Sequence, residues 1–227
     1  MKPKLVVFDL AGTTVNDNND VSKALQRLFK KIHIRISIQE GNELMGIPKP
    51  EAIGILLERH HYPFISKTLI EEMHAYFMKD MIKFYQKHAS VKEKPGASEI
   101  FLQLREHKIK VVVDTGFNRS IVAPLLDRMG WLKNELIDGS VTNDEVPNGR
   151  PHPDLIYRAM ELTGIKNPKD VAKVGDTIFD LNQGAAAQCG WVIGITTGAY
   201  SREQLSKGPH THLIDHLSEL SSLFHLE

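Results

Sequence analysis

With one cysteine among 227 residues, Cys189, the chain has no partner for an intramolecular disulfide. That excludes the stapled scaffolds of small secreted domains and favours a reducing compartment. Charge of one sign is also missing, since 28 Lys and Arg face 28 Asp and Glu. A net charge of zero leaves no field to hold a nucleic-acid backbone or an anionic membrane surface, so the expected partner is a small molecule. Long hydrophobic runs are absent, because charges interrupt every stretch that approaches the ~20 apolar residues needed to cross a bilayer. The first apolar run, 5–8, is too short for the core of a signal sequence and stops at Asp9. A soluble, cytoplasmic protein is therefore expected, long enough to bury a core without a metal or disulfide staple. Internal repeats and low-complexity tracts are lacking as well.

What is present is alternation. Short β-branched runs at 5–8, 109–113, 171–174 and 191–195 are separated by helical stretches, and a fifth candidate at 211–214 precedes the helical pattern Leu217, Leu220, Leu223, Phe224. Such alternation predicts an α/β fold, a doubly wound parallel sheet with helices on both faces. The first three runs end in polar residues, namely Asp9, Asp114-Thr115 and Gly175-Asp176. In an open α/β sheet the carboxyl ends of the strands are where ligands bind. About a hundred residues lie between the first two runs, far more than the 2–6 of an ordinary connection. Helical periodicity fills that interval, as in Ala24, Leu25, Leu28, Phe29 and Ile32 and again in Met73, Tyr76, Phe77, Met81 and Phe84. The expected organisation is a core of residues 1–15 and 90–227 with a helical cap, 16–89, inserted into it. Pro95-Gly96 marks the turn back into the core.

The loop Asp9-Leu10-Ala11-Gly12-Thr13-Thr14 presents an acid at a strand end beside backbone N–H groups that can meet an anion, Gly12 and Thr13 among them. Gly175-Asp176-Thr177-Ile178-Phe179-Asp180 places two carboxylates four residues apart where a strand becomes a helix. Acid pairs of this kind suit a hard, oxygen-seeking cation such as Mg2+. Each motif alone has a plainer explanation: Asp9 as a turn former, Asp180 as a carboxylate favoured at a helix N-terminus, Arg150 as a solvated loop charge.

In combination and in order, the motifs resemble the haloacid dehalogenase superfamily, and the resemblance covers nearly the whole chain. It implies Asp9 as a nucleophile that forms an aspartyl phosphate and Thr115, with Gly116, as a phosphate-oxygen contact. It further implies Arg150 as the basic residue and Asp176 with Asp180 as the late acidic pair. The ion would be Mg2+, held by Asp9, the carbonyl of Ala11 and Asp176, with Asp180 acting through the metal shell or by orienting Arg150. Most phosphatases of the superfamily carry a second Asp where this chain has Ala11, and alanine cannot transfer a proton. The Asp-x-Ala-Gly-Thr motif, and Arg in Val146-Pro147-Asn148-Gly149-Arg150-Pro151, resemble the phosphonatase subfamily. Met45-Gly46-Ile47-Pro48-Lys49 matches its cap loop, which puts Lys49 on the position that forms a Schiff base. The chain departs from the subfamily at Ala52 and Phe117, where a His and a Tyr are usual, and at 16–20, where a cysteine-bearing stretch is usual.

Three functions therefore stand open: cleavage of a phosphonate P–C bond beside a carbonyl, hydrolysis of a small phosphate monoester in the manner of phosphoglycolate phosphatases, and non-catalytic binding of a phosphorylated ligand. His60, His61, His74 and His88 show no metal-ligand spacing. Cys189 is expected to pack rather than react, and Trp131 to fill space at a helix end.

Overall fold

The computed structural model describes residues 2–226. Six strands form one sheet: β1 Leu5–Asp9, β2 Lys110–Thr115, β3 Gly139–Thr142, β4 Val171–Gly175, β5 Trp191–Ile195 and β6 His212–Ile214. Their order is β3-β2-β1-β4-β5-β6, and every neighbouring pair is parallel. The chain builds outward from β1 through β2 and β3, then crosses to β4 on the other side. That reversal opens a crevice at the carboxyl ends of β1 and β4, the position at which such sheets take ligands.

Each central strand feeds alternate residues into two separate cores, which is why its sequence is dominated by apolar residues rather than alternating with polar ones. Val6, Phe8, Val111, Val113, Ala172 and Val174 face one core, while Leu5, Val7, Val112 and Val171 face the other. The first is covered by α5 Ala97–Glu106, α6 Arg119–Met129 and α10 Glu219–Leu223; the second by α7 Asp154–Thr163, α8 Ile178–Ala186 and α9 Arg202–Leu205. Phe101 meets Phe8 edge-on at 5.1 Å and Trp131 at 5.2 Å. Burying side chains of this size contributes roughly 1.5–3 kcal/mol each. Trp131 is fully buried, and its indole N–H donates to Glu93 Oε2 at 2.9 Å, so its polar edge is satisfied too.

Strand β3 has no counterpart among the expected runs. Gly-Ser-Val-Thr contains one aliphatic residue, and it becomes a strand only because β2 offers an open edge. A Cβ at Gly139 would lie 2.4 Å from Leu162 Cδ2, so the Leu162 side chain rests against this glycine.

The inserted helical region comprises α1 Asp20–Lys30, α2 Ile38–Glu43, α3 Lys49–Arg59 and α4 Lys67–Lys87. On α4 the buried stripe is Met73, Phe77, Met81 and Tyr85, at an interval of four, whereas Tyr76 is turned outward. The segments entering and leaving this region run side by side: Asn16 N donates to Lys92 O at 2.9 Å and Lys94 N to Thr14 O at 2.8 Å. At its far side the Tyr200 hydroxyl donates to the Glu43 carbonyl at 2.9 Å. Gly116 lies beneath the loop before α3, where a Cβ would stand 3.1 Å and 3.2 Å from the carbonyl oxygens of Gly46 and Ile47. The helical region is thus closed onto the carboxyl ends of the strands. Among the described residues no helix is long and apolar enough to cross a membrane.

Candidate active site

Asp9 ends β1 directly opposite Asp114 at the end of β2. The turn that follows is tied to Leu10 O by the N–H groups of Thr13, Thr14 and Val15 at 3.3, 2.9 and 2.8 Å, and the Thr14 hydroxyl caps the Asp9 carbonyl at 2.8 Å. Within the turn Gly12 N donates to Val15 O at 2.9 Å and Thr13 N to Leu10 O at 3.3 Å. Their contribution is placement: the Thr13 hydroxyl donates to Asp176 Oδ1 at 3.1 Å, and Gly12, at φ 97°, leaves room for a carboxylate that its Cβ would approach to 2.3 Å.

Asp176 leaves β4 and is fully buried; its Oδ2 accepts Ala199 N at 2.6 Å. Asp180 occupies the first turn of α8 in a reciprocal cap with Thr177, whose hydroxyl and N–H reach Asp180 Oδ2 at 2.6 and 3.2 Å. Its other oxygen faces cations, Arg150 Nη1 at 2.9 Å and Lys173 Nζ at 3.1 Å. The same residue thus caps α8 and pairs with Arg150. Arg150 is no solvated loop charge, being 2% exposed. Its Nη1 donates to Asp9 Oδ1 at 2.7 Å, while Nη2 bonds the Asp114 carboxylate and, at 3.1 Å, the Asp114 carbonyl.

Thr115, at the end of β2, accepts Phe117 N on its hydroxyl at 3.2 Å. Lys49 opens α3, is 4% exposed, and its Nζ lies 3.2 Å from the Ile47 carbonyl and 5.7 Å from the centre of the Phe117 ring. Phe117 is backed in turn by Phe77 and Tyr85 at 6.3 and 6.1 Å between ring centres. A single pocket is lined by Asp9, Ala11, Lys49, Thr115, Gly116, Arg150 and Asp176 together with Met45, Gly46, Ile47, Phe117 and Thr177. Gly12, Thr13 and Asp180 stand behind that lining.

Two functional candidates were not foreseen. Asp114 and Lys173 are both fully buried and form an ion pair. The signal for Lys173 was a lone charge inside the apolar run Val171-Ala172-Lys173-Val174; for Asp114 it was an acid adjoining Thr115 at a strand end. Elsewhere, His60 pairs with Glu40 at 2.8 Å. Burial pushes the Cys189 thiol up to about 12, in keeping with a packing role. Asp17, in the stretch where a cysteine was missing, accepts Asp20 N at 2.5 Å and starts α1.

The electrostatics divide the site in two. On one side Arg150 and Lys173, working against burial, hold the Asp180 carboxyl below its usual range. On the other, burial raises Asp9 to about 6 even though Arg150 opposes the change, and Asp180 adds to it. Burial together with the charges of Asp9 and Asp180 lifts Asp176 well above the carboxylate range. Asp9 Oδ2 has no hydrogen-bond partner. Oxygens of Asp9, Asp114 and Asp180 lie within 4.8 Å of one another, a hard donor set compatible with a divalent cation. All three acids also face side-chain cations, Arg150 reaching Asp9, Asp114 and Asp180, and Lys173 reaching Asp114 and Asp180. For Lys49 burial is the largest influence and Arg150 the next, and together they lower the amine to about 8 against the pull of Asp9 and Asp17.

The family model described as haloacid dehalogenase-like hydrolase matches residues 6–194. Phosphonoacetaldehyde hydrolases of Bacillus cereus (strain AH820) and Bacillus anthracis are 30% identical over 210 residues, covering 88% of this chain and 78% of theirs. A crystal structure of a phosphonoacetaldehyde hydrolase-like protein from Oleispira antarctica superposes with a TM-score of 0.88 at 21% identity, over 99% of this chain and 92% of that one. A hydrolase from Pseudomonas syringae superposes with a TM-score of 0.84 at 20% identity, over 98% of each chain. At those identities the two superpositions establish the fold.

Proposed function

Since the chain belongs to the haloacid dehalogenase-like hydrolase family, we propose that it cleaves the P–C bond of a small phosphonate bearing a carbonyl next to the reacting carbon, of the phosphonoacetaldehyde type. The observation that carries this reading is the buried Lys49 amine, lowered to about 8 and facing the same pocket as Asp9. An amine with that titration is neutral often enough at neutral pH to attack a carbonyl. Ala11 supports the same choice. A phosphate ester needs a proton for its leaving oxygen, whereas a carbon leaving group attached to an imine accepts the bonding electrons itself and needs no acid at this position.

Lys49 adds to the aldehyde and expels water, giving an imine. Asp9, approached by Arg150 at 2.7 Å, attacks phosphorus of the imine protonated at nitrogen as the P–C bond breaks, and the electron pair moves toward that nitrogen to leave a neutral enamine. Water then releases orthophosphate from Asp9, and protonation of the enamine at carbon followed by hydrolysis releases the aldehyde that has lost its phosphonyl group and frees Lys49. The Arg150 guanidinium and the Thr115 hydroxyl hold the phosphoryl oxygens, and Phe117 with Ile47 and Met45 keeps bulk water from the amine. Mg2+, held by Asp9, Asp176 and the Ala11 carbonyl, would neutralise phosphoryl charge.

The deciding experiment is Mg2+-dependent release of orthophosphate from phosphonoacetaldehyde beside a panel of small phosphate esters, for the parent and for Lys49→Ala. Release from the phosphonate that vanishes with the lysine is expected. Release from esters alone, with Lys49→Ala raising only KM, would replace this reading with the phosphatase.

A further inference from the structure

The proposed chemistry assigns no work to Lys173, although a fully buried lysine needs a reason to be where it is. In the sheet Lys173 pairs with Val7 and Asp114 pairs with Asp9. Val7 and Asp9 are two apart on β1 and so share a face, which puts Lys173 on the same face as the two acids and one step lower, roughly 6.6 Å along the strand. The four-carbon stem of a lysine spans that step. Its Nζ emerges among the acids, bonded to Asp114 and 3.1 Å from Asp180.

Without this ammonium, three buried carboxylates, those of Asp9, Asp114 and Asp180, would share the single guanidinium of Arg150. Buried carboxylates left without a counter-charge are strongly disfavoured. Two of the three, Asp114 and Asp180, are not among the residues that line the pocket and would compete with Asp9 for its charge. Arg150 Nε has no partner, so only its two terminal nitrogens fix its direction. We propose that Lys173 and Asp114 form a positioning pair: Lys173 neutralises the acids behind Arg150, and Arg150 remains turned toward Asp9 and an arriving phosphoryl group. The inference rests on Asp9 and Arg150 acting as described above and deepens that reading. Lys173 is not among the residues that line the pocket. It acts through Arg150.

The test compares Lys173→Met, Asp114→Asn and the double variant for kcat, KM and inhibition by orthophosphate, with far-UV circular dichroism to establish folding. Lys173→Met should lower kcat by about 30-fold and weaken orthophosphate inhibition about tenfold, because Arg150 is misdirected. The double variant removes one charge of each sign and should recover about tenfold in kcat over Lys173→Met, a non-additivity that mere packing does not give. Lys173→Met with kcat and phosphate inhibition within threefold of the parent overturns the pair, and so does a double variant whose loss equals the product of the two singles. Should Lys173→Met fail to fold, the double variant decides: phosphate inhibition within threefold of the parent supports the pair, and a larger loss overturns it. An Asp9→Asn variant run alongside separates the two levels. If it is dead while Lys173→Met is unaffected, only the pair falls; if it turns over, the reading of the site falls.

Discussion

Replacing Lys49 with methionine should make the protein more stable while removing the proposed imine chemistry, and the size of the gain follows from burial. The Lys49 ammonium is 4% exposed, has one hydrogen-bond acceptor at 3.2 Å, and titrates near 8 rather than 10.5. A depression of that size corresponds to about 3 kcal/mol by which the charged amine opposes folding. The sign is that of a base whose folded-state pKa lies below its unfolded value. The penalty is full below pH 8, shrinks as pH rises from 8 toward 10.5, and is gone above it. Methionine fills a similar volume without charge. Lys49→Met should therefore gain about 2–3 kcal/mol at pH 7, or roughly 5–10 °C in Tm for a chain of this size. Urea unfolding of both proteins at pH 7 and pH 9.5 measures it, with the difference at pH 9.5 falling to about half or less of that at pH 7. The same depression raises the neutral fraction of the amine at pH 7 from about 0.03% to about 9%, some 300-fold, which is the functional reason to tolerate the strain. A Lys49→Met protein that is less stable than the parent at pH 7, or a difference that does not change with pH, would refute the claim that this amine is buried and suppressed.

Two further outcomes are expected. Asp9→Asn should lower turnover by at least about 10³-fold, because an amide cannot form the acyl phosphate; steady-state orthophosphate release checks this, and sustained multiple turnover would rule Asp9 out as the nucleophile. Gly116→Ala should raise KM by about 3- to 10-fold with a smaller change in kcat, since its Cβ would press on the carbonyl oxygens of Gly46 and Ile47 at 3.1 and 3.2 Å and hold the loop carrying Lys49 off the strands. An unchanged KM would mean that this close approach is not needed for substrate binding.

The parts of the fold that could be read directly are those whose signal is local. Residues 5–8, 109–113, 171–174 and 191–195 are mostly apolar because both faces of their strands are buried, and such runs identify themselves even with Lys110 and Lys173 among them. The four-residue interval of Met73, Phe77 and Met81 marks α4 for the same reason, though the neighbouring aromatic that turned inward was Tyr85 rather than Tyr76. Strand β3 escaped because Gly139, Ser140 and Thr142 have no strand signature of their own; an open edge on β2 recruits them. Among the site residues, Asp9, Thr115 and Asp176 announced themselves by standing where apolar runs stop. What the linear order did not show is that the turn after β1 uses the N–H groups of Gly12 and Thr13 to close on itself.

The sequence by itself determined the alternation of strands and helices, the insertion after β1 and the order of the acidic and basic motifs, since each is written in short stretches of neighbouring residues. Tertiary structure alone decided that Arg150, 141 residues from Asp9, would meet it at 2.7 Å, that Lys173 would reach across β1 to Asp114, and that the amine of Lys49 would close over the same pocket in an apolar setting. The physical reason is that charge compensation and desolvation depend on distances across the sheet and on what the helical region covers. Neither quantity exists until distant strands are paired.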